Sequence, residues 1–319
     1  MTFSDEAHEA ASLWGGQLIR LIHDRENAVY EIALPSGARA ALRLHRCGYQ
    51  GDAAITSELW WCRALADAGL PVPAPIDAKA GAQLAQLSTG RSVSVIAWVA
   101  GDPLGEAGVP LPGTGADQAA RHFTLGSLIA RLHTATDFLI LPADFTRPSW
   151  DISGLVGDTP FWGRFWEHPS LTAAEADHLR KARAFLHKRL LAYHAHGGDF
   201  GLIHADVLRE NVLVDGDAMS LIDFDDSGHG FRLHDLGTVL SQNLYEPALP
   251  VIARALIAGY ATLRPTDPEM VAVFTMARTL ASVGWTMPRL APDDPIHRSH
   301  INRAVMWSTR VMAGDIPWL

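Results

Sequence analysis

The chain has 319 residues, enough for one large hydrophobic core or two smaller ones; 48% are apolar and 19% charged. This balance excludes a disordered chain, and the net charge of -9 disfavours nucleic-acid binding through a generally basic surface while it favours small cationic substrates. The acidic segment 1–11 does not resemble a signal peptide, and no run approaches the about 20 apolar residues that cross a bilayer. We therefore expect a cytoplasmic protein with neither nucleic-acid nor membrane partners.

The first hundred residues are predicted to form strands around one helix. Apolar runs at 18–22, 29–34 and 40–44, separated by polar or turn-forming residues, predict an antiparallel meander. Helical spacing of apolar side chains predicts a helix over 55–68, and a β-rich run over 93–99 closes the region.

Helical patterns dominate after residue 100. A loop rich in glycine and proline is predicted over 104–117, and Thr172 with Glu175 forms a capping box that opens a helix. Further helices are predicted over 123–136, 248–260, 269–285 and 299–313. Short strands interrupt them at 201–203, 211–214 and 219–224, and the last two are joined by an Asp-Gly-Asp hairpin turn.

Polar side chains gather where these short strands end. The segment 204–211 reads His-Ala-Asp-Val-Leu-Arg-Glu-Asn, and an Ile-Asp-Phe sequence at 222–224 follows the hairpin. Phosphoryl transfer to a hydroxyl needs a carboxylate beside the acceptor, oxygen ligands for magnesium and positive charge near the phosphates. We predict that Asp206 is the catalytic carboxylate and that Asn211 and Asp223 are magnesium ligands.

Three neighbouring residues have secondary predicted roles. His204 is predicted to anchor the loop through hydrogen bonds. Asp225 lies on the same side as Asp223 by strand alternation and could reach a second metal, with plain surface acidity as the alternative. Arg209 could steady a phosphate or the substrate, with a solvated loop charge as the alternative.

The order of these motifs resembles the H-R-D-x4-N and D-F-G elements of protein kinases, with Asp-Phe-Asp in place of Asp-Phe-Gly. It is more similar to the aminoglycoside phosphotransferase-like superfamily, which includes choline kinases, type II homoserine kinases and the stress-response kinase A group. There the motifs are followed by a D-L pair, which here is Asp235-Leu236; we predict that Asp235 braces the loops or caps a helix.

The resemblance implies an α+β, two-lobed, protein-kinase-like fold. Residues 1–100 would form a nucleotide-binding lobe with a small antiparallel sheet and one main helix. Residues 101–319 would form a larger, mostly helical lobe for catalysis and substrate binding. Arg43 stands where kinases carry the lysine of the third strand, and Glu58 would be its ion-pair partner. Arginine and lysine grip phosphate differently, so this departure bears on activity.

Further nucleotide contacts follow from the same resemblance. The stretch 25–30 occupies the turn that closes over the phosphates in kinases, although it lacks the G-x-G-x-x-G sequence. Asn27 and backbone amides of this turn could meet phosphate oxygens, but a plain surface hairpin has the same sequence pattern. The hinge that lines the adenine pocket would contain Trp98 and Val99.

The predicted function is therefore an ATP- and magnesium-dependent phosphotransferase that moves the γ-phosphate to a hydroxyl. The acceptor pocket would be built from the C-terminal helices, which contribute Tyr245, Tyr260, Arg278, Trp285, Arg289, His297, His300 and Trp307. These helices carry no dense acidic cluster, so an aminoglycoside is not specially favoured. An amino alcohol, a homoserine-like molecule and a protein serine or threonine stay open. The alternatives are a pseudokinase-like nucleotide-binding module and, more distantly, a metal-dependent hydrolase.

Overall fold

The computed structural model describes residues 4–24 and 27–319, and the chain divides into two compact units. The first unit contains the residues up to 102 together with 139–147 and 213–225, and the second contains the remainder. The predicted boundary at 100/101, where the strand-rich pattern gives way to helical patterns, stays a prediction. Arg25 and Glu26, which belong to the turn predicted to close over phosphates, lie outside the described residues.

The described elements are mainly strands in the first unit and mainly helices in the second, which confirms the α+β class. The α-helices are α1 Asp5–Trp14, α2 Asp52–Asp67, α3 Gly115–Asp137, α4 Ile152–Val156, α5 Ala173–Ala195, α6 Leu233–Ser241, α7 Leu249–Ala261, α8 Pro268–Thr286 and α9 Pro295–Ala313. The strands are β1 Gln17–Asp24, β2 Ala28–Ala33, β3 Arg39–Leu44, β4 Pro75–Ile76, β5 Leu84–Gln86, β6 Ser92–Ala97, β7 Asp102–Pro103, β8 Ser149–Trp150, β9 Phe200–Ile203, β10 Val212–Asp215, β11 Ala218–Leu221 and β12 Gly228–Phe231.

The first unit is built on an antiparallel sheet in the order β1-β2-β3-β6-β4, with β5 also paired to β6. The predicted meander is therefore confirmed. Alternation along β3 buries Leu42 and Leu44 in a core that also contains alanines and Trp14 of α1. Arg43 lies between these two leucines in the chain, so its side chain points to the opposite face of the sheet.

Helix α1 was not predicted, although its ends carry recognisable signals. The Ser4 hydroxyl accepts a hydrogen bond from the Ala7 amide at 3.2 Å, and Gly15 ends the helix at a φ of 69°. The helix buries Ala7, Ala10 and Trp14 against the sheet. Small alanines on its inner face give a weak periodic signal, which explains why hydrophobic spacing alone did not reveal it.

Helices α3 and α7 pack closely in the second unit because each has a glycine at the contact. A Cβ atom on Gly126 would lie 2.1 Å from the Leu256 carbonyl oxygen, and one on Gly259 would lie 2.0 Å from that of Phe123. Helix α3 begins at residue 115, earlier than predicted, because Thr114 caps it. The predicted capping box at Thr172 is confirmed.

A small three-stranded sheet of the second unit, in the order β8-β12-β9, brings distant motifs together. Strand β12 runs antiparallel to β9 and parallel to β8. Strand β9 leads directly into His204, and β12 leads into α6, which carries Asp235. Because β9 and β12 are hydrogen-bonded neighbours, the loop 204–211 and the start of α6 lie side by side. Among the described residues, no helix has the length and apolarity needed to cross a membrane.

Candidate active site

The loop that follows β9 is held in its turn by Asp235. One carboxylate oxygen accepts a hydrogen bond from the His204 amide at 2.9 Å and the other from the Ala205 amide at 2.7 Å. Ala205 has a φ of 65°, a left-handed conformation that is uncommon for a residue with a Cβ atom. The Asp206 amide in turn donates to Nδ1 of His204 at 3.3 Å. The predicted bracing role of Asp235 is confirmed, and His204 lies within the hydrogen bonds that shape the loop.

Asp235 is completely buried and is itself supported by His133 of α3. Nε2 of His133 lies 3.0 Å from Oδ2 of Asp235, and Nδ1 lies 2.8 Å from the Tyr260 hydroxyl. Burial alone would raise the pKa of Asp235, but the hydrogen bonds that its carboxylate accepts from His133 and from the His204 amide outweigh burial and lower the pKa. The loop is therefore anchored to an ionised carboxylate that is enclosed by the helices of the second unit.

Asp206 is oriented by a donor on each of its carboxylate oxygens. Oδ1 accepts from a terminal guanidinium nitrogen of Arg278 at 2.6 Å, and Oδ2 accepts from Nδ2 of Asn211 at 2.8 Å. Each carboxylate oxygen can accept a further hydrogen bond, so a substrate hydroxyl can still donate to Asp206. The sequence placed Arg278 only among the pocket residues; its ion pair with Asp206 was not predicted.

Asn211 is fixed with its amide nitrogen turned toward Asp206. Nδ2 donates to the Asp206 carbonyl at 2.9 Å as well as to the Asp206 carboxylate. No donor from the described residues reaches Oδ1 of Asn211. A neutral amide oxygen held in this way is a ligand type that magnesium accepts, so the side chain fits its predicted role.

Arg209 is buried, so the alternative of a solvated loop charge is wrong. Only 3% of its surface is exposed, and its guanidinium lies 2.6 Å from the Glu246 carboxylate, 2.8 Å from Oδ1 of Asn243 and 2.7 Å from the Val109 carbonyl. These contacts attach the loop 204–211 to the segments that contain Val109, Asn243 and Glu246. A contact between Arg209 and phosphate stays a prediction.

In the first unit, the predicted ion pair of Arg43 with Glu58 is confirmed. One terminal nitrogen of Arg43 lies 2.7 Å from Glu58, and the other lies 2.6 Å from Asp225 and 3.9 Å from Asp223. Arg147, which the sequence analysis missed, lies 3.5 Å from the second oxygen of Glu58. Two arginines and two carboxylates thus form a buried network that is close to electrically neutral.

Asp225 is part of this network and not a surface residue, so the surface alternative is wrong. It is 8% exposed, and besides Arg43 its other oxygen accepts from Nδ2 of Asn27 at 2.5 Å. Oδ1 of Asn27 accepts from the Arg46 amide at 3.0 Å. Both polar groups of the Asn27 side chain are therefore engaged within the first unit. A phosphate contact of Asn27 and a second metal at Asp225 stay predictions.

Asp223 differs from Asp225 in both conformation and exposure. Its φ is 63°, and 45% of its side chain is exposed. A partly exposed carboxylate held by a strained backbone fits a magnesium ligand. Among the described residues, no group of three or more His, Cys, Asp and Glu side chains is placed to hold a metal ion. Asn211 and Asp223 belong to different units, and their sharing of one magnesium stays a prediction.

The predicted hinge residues follow the end of β6. Trp98 and Val99 are both partly buried. The Arg39 guanidinium carbon lies 4.0 Å from the centre of the Trp98 ring, a cation–π contact that holds one side of the indole. Their contact with adenine stays a prediction.

His45 gives the free energy of unfolding a testable pH dependence. His45 directly follows strand β3, which carries Arg43, and its ring is buried. Nε2 of this ring lies 2.9 Å from the Ser94 hydroxyl. Burial, and then the charge of Arg43, lower the pKa of His45 to about 3. The unfolded chain takes up this proton below about pH 6.5 while the folded protein does not, so the free energy of unfolding falls as the pH drops.

We therefore expect His45→Gln to flatten that pH dependence by about 1 kcal/mol per pH unit between about pH 6 and 5. The measurement is urea unfolding of both proteins across this range. Equal slopes for variant and wild type would contradict the prediction.

Comparison with known proteins finds a family whose model covers the residues of the candidate site. The model of the phosphotransferase enzyme family matches residues 17–273. The homoserine kinase of Methylobacillus flagellatus is 28% identical over 232 residues, which cover 71% of this chain and 65% of that relative. The chain thus matches slightly less than two thirds of the length of this relative.

Solved structures resemble nearly the whole chain. A microcompartment-associated aminopropanol kinase superposes with a TM-score of 0.82 at 29% identity, and the match covers 97% of each chain. The amicoumacin kinase hAmiN, in complex with AMP-PNP, Ca²⁺ and Ami, superposes with a TM-score of 0.74 at 18% identity, over 98% of this chain and 95% of the other. The predicted protein-kinase-like fold and superfamily resemblance are confirmed.

Proposed function

Because the chain belongs to the phosphotransferase enzyme family, we propose that it is an ATP- and magnesium-dependent kinase whose acceptor is a hydroxyl of a small molecule. The observation that carries this proposal is the geometry of Asp206. Its carboxylate is oriented by Arg278 and Asn211 on separate oxygens and stays partly exposed, with 17% of the side chain accessible. An acceptor hydroxyl that donates to this carboxylate is both oriented and ready to lose its proton.

The residues have distinct tasks in the proposed reaction. The acceptor oxygen forms a bond to the γ-phosphorus as the bond from that phosphorus to the bridging oxygen of ADP breaks. Asp206 takes the hydroxyl proton. Asn211 and Asp223 would hold magnesium, which when bound neutralises charge on the phosphates. Arg43 donates one hydrogen bond from each terminal nitrogen to Glu58 and Asp225; its guanidinium carries five N–H donors, so it can also donate to a phosphate oxygen.

The small-molecule acceptor is favoured over a protein serine or threonine by the relatives. One is named a homoserine kinase and another an aminopropanol kinase, and each name specifies a small alcohol. The single feature that favours a nucleotide-binding module without transfer is Arg43, since lysine is the usual residue at that position.

The test is ADP release in the presence of ATP, magnesium and a panel of small alcohols, measured against the background of ATP hydrolysis. Homoserine, threonine, aminopropanols, ethanolamine and choline form the panel, with a generic protein substrate beside them. ADP release that depends on one small alcohol supports the proposal. ATP-dependent thermal stabilisation without release for any acceptor would favour the nucleotide-binding module.

A further inference from the structure

Helix α9 brings a second arginine to the level of Arg278. Nε1 of Trp307 donates to the Ala272 carbonyl at 3.2 Å, and Nδ1 of His297 lies 3.0 Å from the Thr286 hydroxyl. These two contacts show that α8 and α9 run antiparallel. Between them, Arg303 falls opposite the stretch of α8 that carries Arg278. Burial, and then the charge of Arg278, lower the pKa of Arg303 to about 10.

Arg303 is partly buried and has no acidic partner among the described residues. Other buried arginines face carboxylates, as the pairs of Arg43, Arg209 and Arg232 show. Within 4–24 and 27–319, no carboxylate forms an ion pair with Arg303. A terminal nitrogen lies 2.9 Å from Nδ1 of His300, and Nε is buried without a hydrogen-bond partner. Asp206 does not neutralise Arg303, because that carboxylate is paired with Arg278.

His300 does not supply the missing negative charge. Burial, and then the charge of Arg303, lower the pKa of His300 to about 3. The ring is therefore neutral near pH 7 and can accept only one of the hydrogen bonds that the Arg303 guanidinium offers.

Two of the other unsatisfied polar atoms near Arg278 are also donors, whereas His234, whose pKa is lowered to about 4 by burial and then by the charge of Arg278, has no hydrogen-bond partner for either ring nitrogen among the described residues. The Arg278 guanidinium carbon lies 4.5 Å from the centre of the Trp162 ring. Nε of Arg278 and Nε1 of Trp162 are both buried without a hydrogen-bond partner. Unsatisfied buried donors are rare in folded proteins because each costs about 1–3 kcal/mol. A group of three N–H donors with an unbalanced positive charge is complementary to a ligand that is anionic and accepts hydrogen bonds.

We propose that Arg303, together with the N–H groups of Arg278 and Trp162, binds a carboxylate of the acceptor molecule. The acceptor is then a small hydroxy acid or hydroxy amino acid, with its hydroxyl at Asp206 and its carboxylate toward Arg303. An amino alcohol without a carboxylate would leave the charge of Arg303 unbalanced. This inference rests on the proposed kinase function, because it names the substrate class of the same site.

Three pairs of alcohols that differ only by the carboxylate provide the test. They are L-homoserine with 3-aminopropan-1-ol, L-threonine with 1-aminopropan-2-ol, and L-serine with ethanolamine. We expect the hydroxy amino acid of at least one pair to be phosphorylated with a kcat/KM at least about 10-fold above that of its partner, the gain expected for a hydrogen bond to a charged group. Preference for the amino alcohol throughout would overturn the inference.

Substitution of Arg303 then assigns the preference to this residue. Arg303→Met is expected to lower kcat/KM for the preferred hydroxy amino acid about 10- to 100-fold, mainly through KM, and to change the decarboxylated partner less than about 3-fold. Arg303→Lys should recover part of the loss because it restores the charge. Arg310→Met is the matched control, since Arg310 lies on the same helix and pairs with Asp315 at 2.8 Å. Equal losses for acid and amino alcohol would overturn the assignment.

The melting temperature separates this role from a structural one. Removal of a partly buried charge that has no acidic partner in the described chain should leave the melting temperature of the apoprotein unchanged or raise it. A marked decrease for Arg303→Met would indicate a structural arginine and would overturn the inference. Failure of these six alcohols, of choline and of the protein substrate to release ADP would overturn the proposed kinase function and, with it, this inference. Turnover of the amino alcohols alone would refute only the inference.

Discussion

Asp206→Asn is expected to lower kcat about 10²- to 10⁴-fold, the range found when a group that accepts a proton in the transition state is removed. The amide that replaces the carboxylate cannot take the acceptor's proton. ATP binding should be largely retained, because the predicted nucleotide contacts, Arg43 and Glu58, belong to the first unit and Asp206 to the second. Steady-state ADP release with the best acceptor measures the first effect, and calorimetric titration with ATP and magnesium measures the second.

A control for Asp206→Asn must separate chemistry from folding, because the change also removes the carboxylate that pairs with the buried Arg278. Asp217→Asn is suitable, since Asp217 is an exposed residue of the turn between β10 and β11. It should keep wild-type kcat and melting temperature. Full activity of Asp206→Asn on the true acceptor would refute the catalytic assignment. Loss of both activity and ATP binding would point instead to misfolding.

Glu58→Gln is expected to lower the free energy of unfolding by about 3–5 kcal/mol, which is the cost of breaking a buried ion pair. Glu58 is 1% exposed and lies between Arg43 and Arg147. Its neutralisation removes the carboxylate that lies between the two buried arginines, and Arg43 then keeps Asp225 as its close ion-pair partner. Urea unfolding measures the loss, and ATP affinity should fall with it because Arg43 is no longer held in place.

Glu31→Gln is the matched control for Glu58→Gln. Glu31 also pairs with two arginines, but the side chains of Arg20 and Arg39 are 59% and 50% exposed. Exposed pairs of this kind contribute about 0–1 kcal/mol. Equal destabilisation by the two substitutions would contradict the view that burial gives the Glu58 network its strength.

The difference in the free energy of unfolding between wild type and Glu58→Gln should depend on pH with a defined sign. Burial would raise the pKa of Glu58, but the charges of Arg43 and Arg147 outweigh burial and lower the pKa. The stabilisation by Glu58 is therefore complete above the ordinary pKa of a glutamate and is lost as the pH falls through the lowered value. The gap in stability between wild type and Glu58→Gln should narrow in acid.

The overall charge and the charge near Asp206 lead to opposite expectations about the substrate. A net charge of -9 favours cationic molecules at long range. Arg278 and Arg303 lie at one level of the α8–α9 pair, and only Arg278 has an acidic partner. Since interactions between charges in contact exceed those screened by salt over more than a Debye length, the local arrangement should decide which molecule binds.

The proposed chemistry could be predicted from the sequence by itself, because the residues proposed to carry it lie close together in the chain. Asp206 and Asn211 lie on one short loop, and Asp223 follows a hairpin whose turn is readable from its Asp-Gly-Asp sequence. Spacing of this kind restricts local geometry, and it also revealed the resemblance to phosphotransferases. The Arg43–Glu58 pair followed from that resemblance and is present in the structure.

Only the tertiary structure decided which side chains hold the candidate site residues in place and which are proposed to select the acceptor. Arg278 meets Asp206 across 72 residues, and Arg147 reaches the Asp225 carbonyl across 78. Arg303 stands out only because the packed helices place no carboxylate within reach of it in the described chain. Contacts between distant segments depend on how whole helices and strands pack, and residue spacing carries no record of that packing. The type of reaction was therefore predictable from the sequence, whereas the proposed carboxylate preference depends on the pairing of α8 with α9.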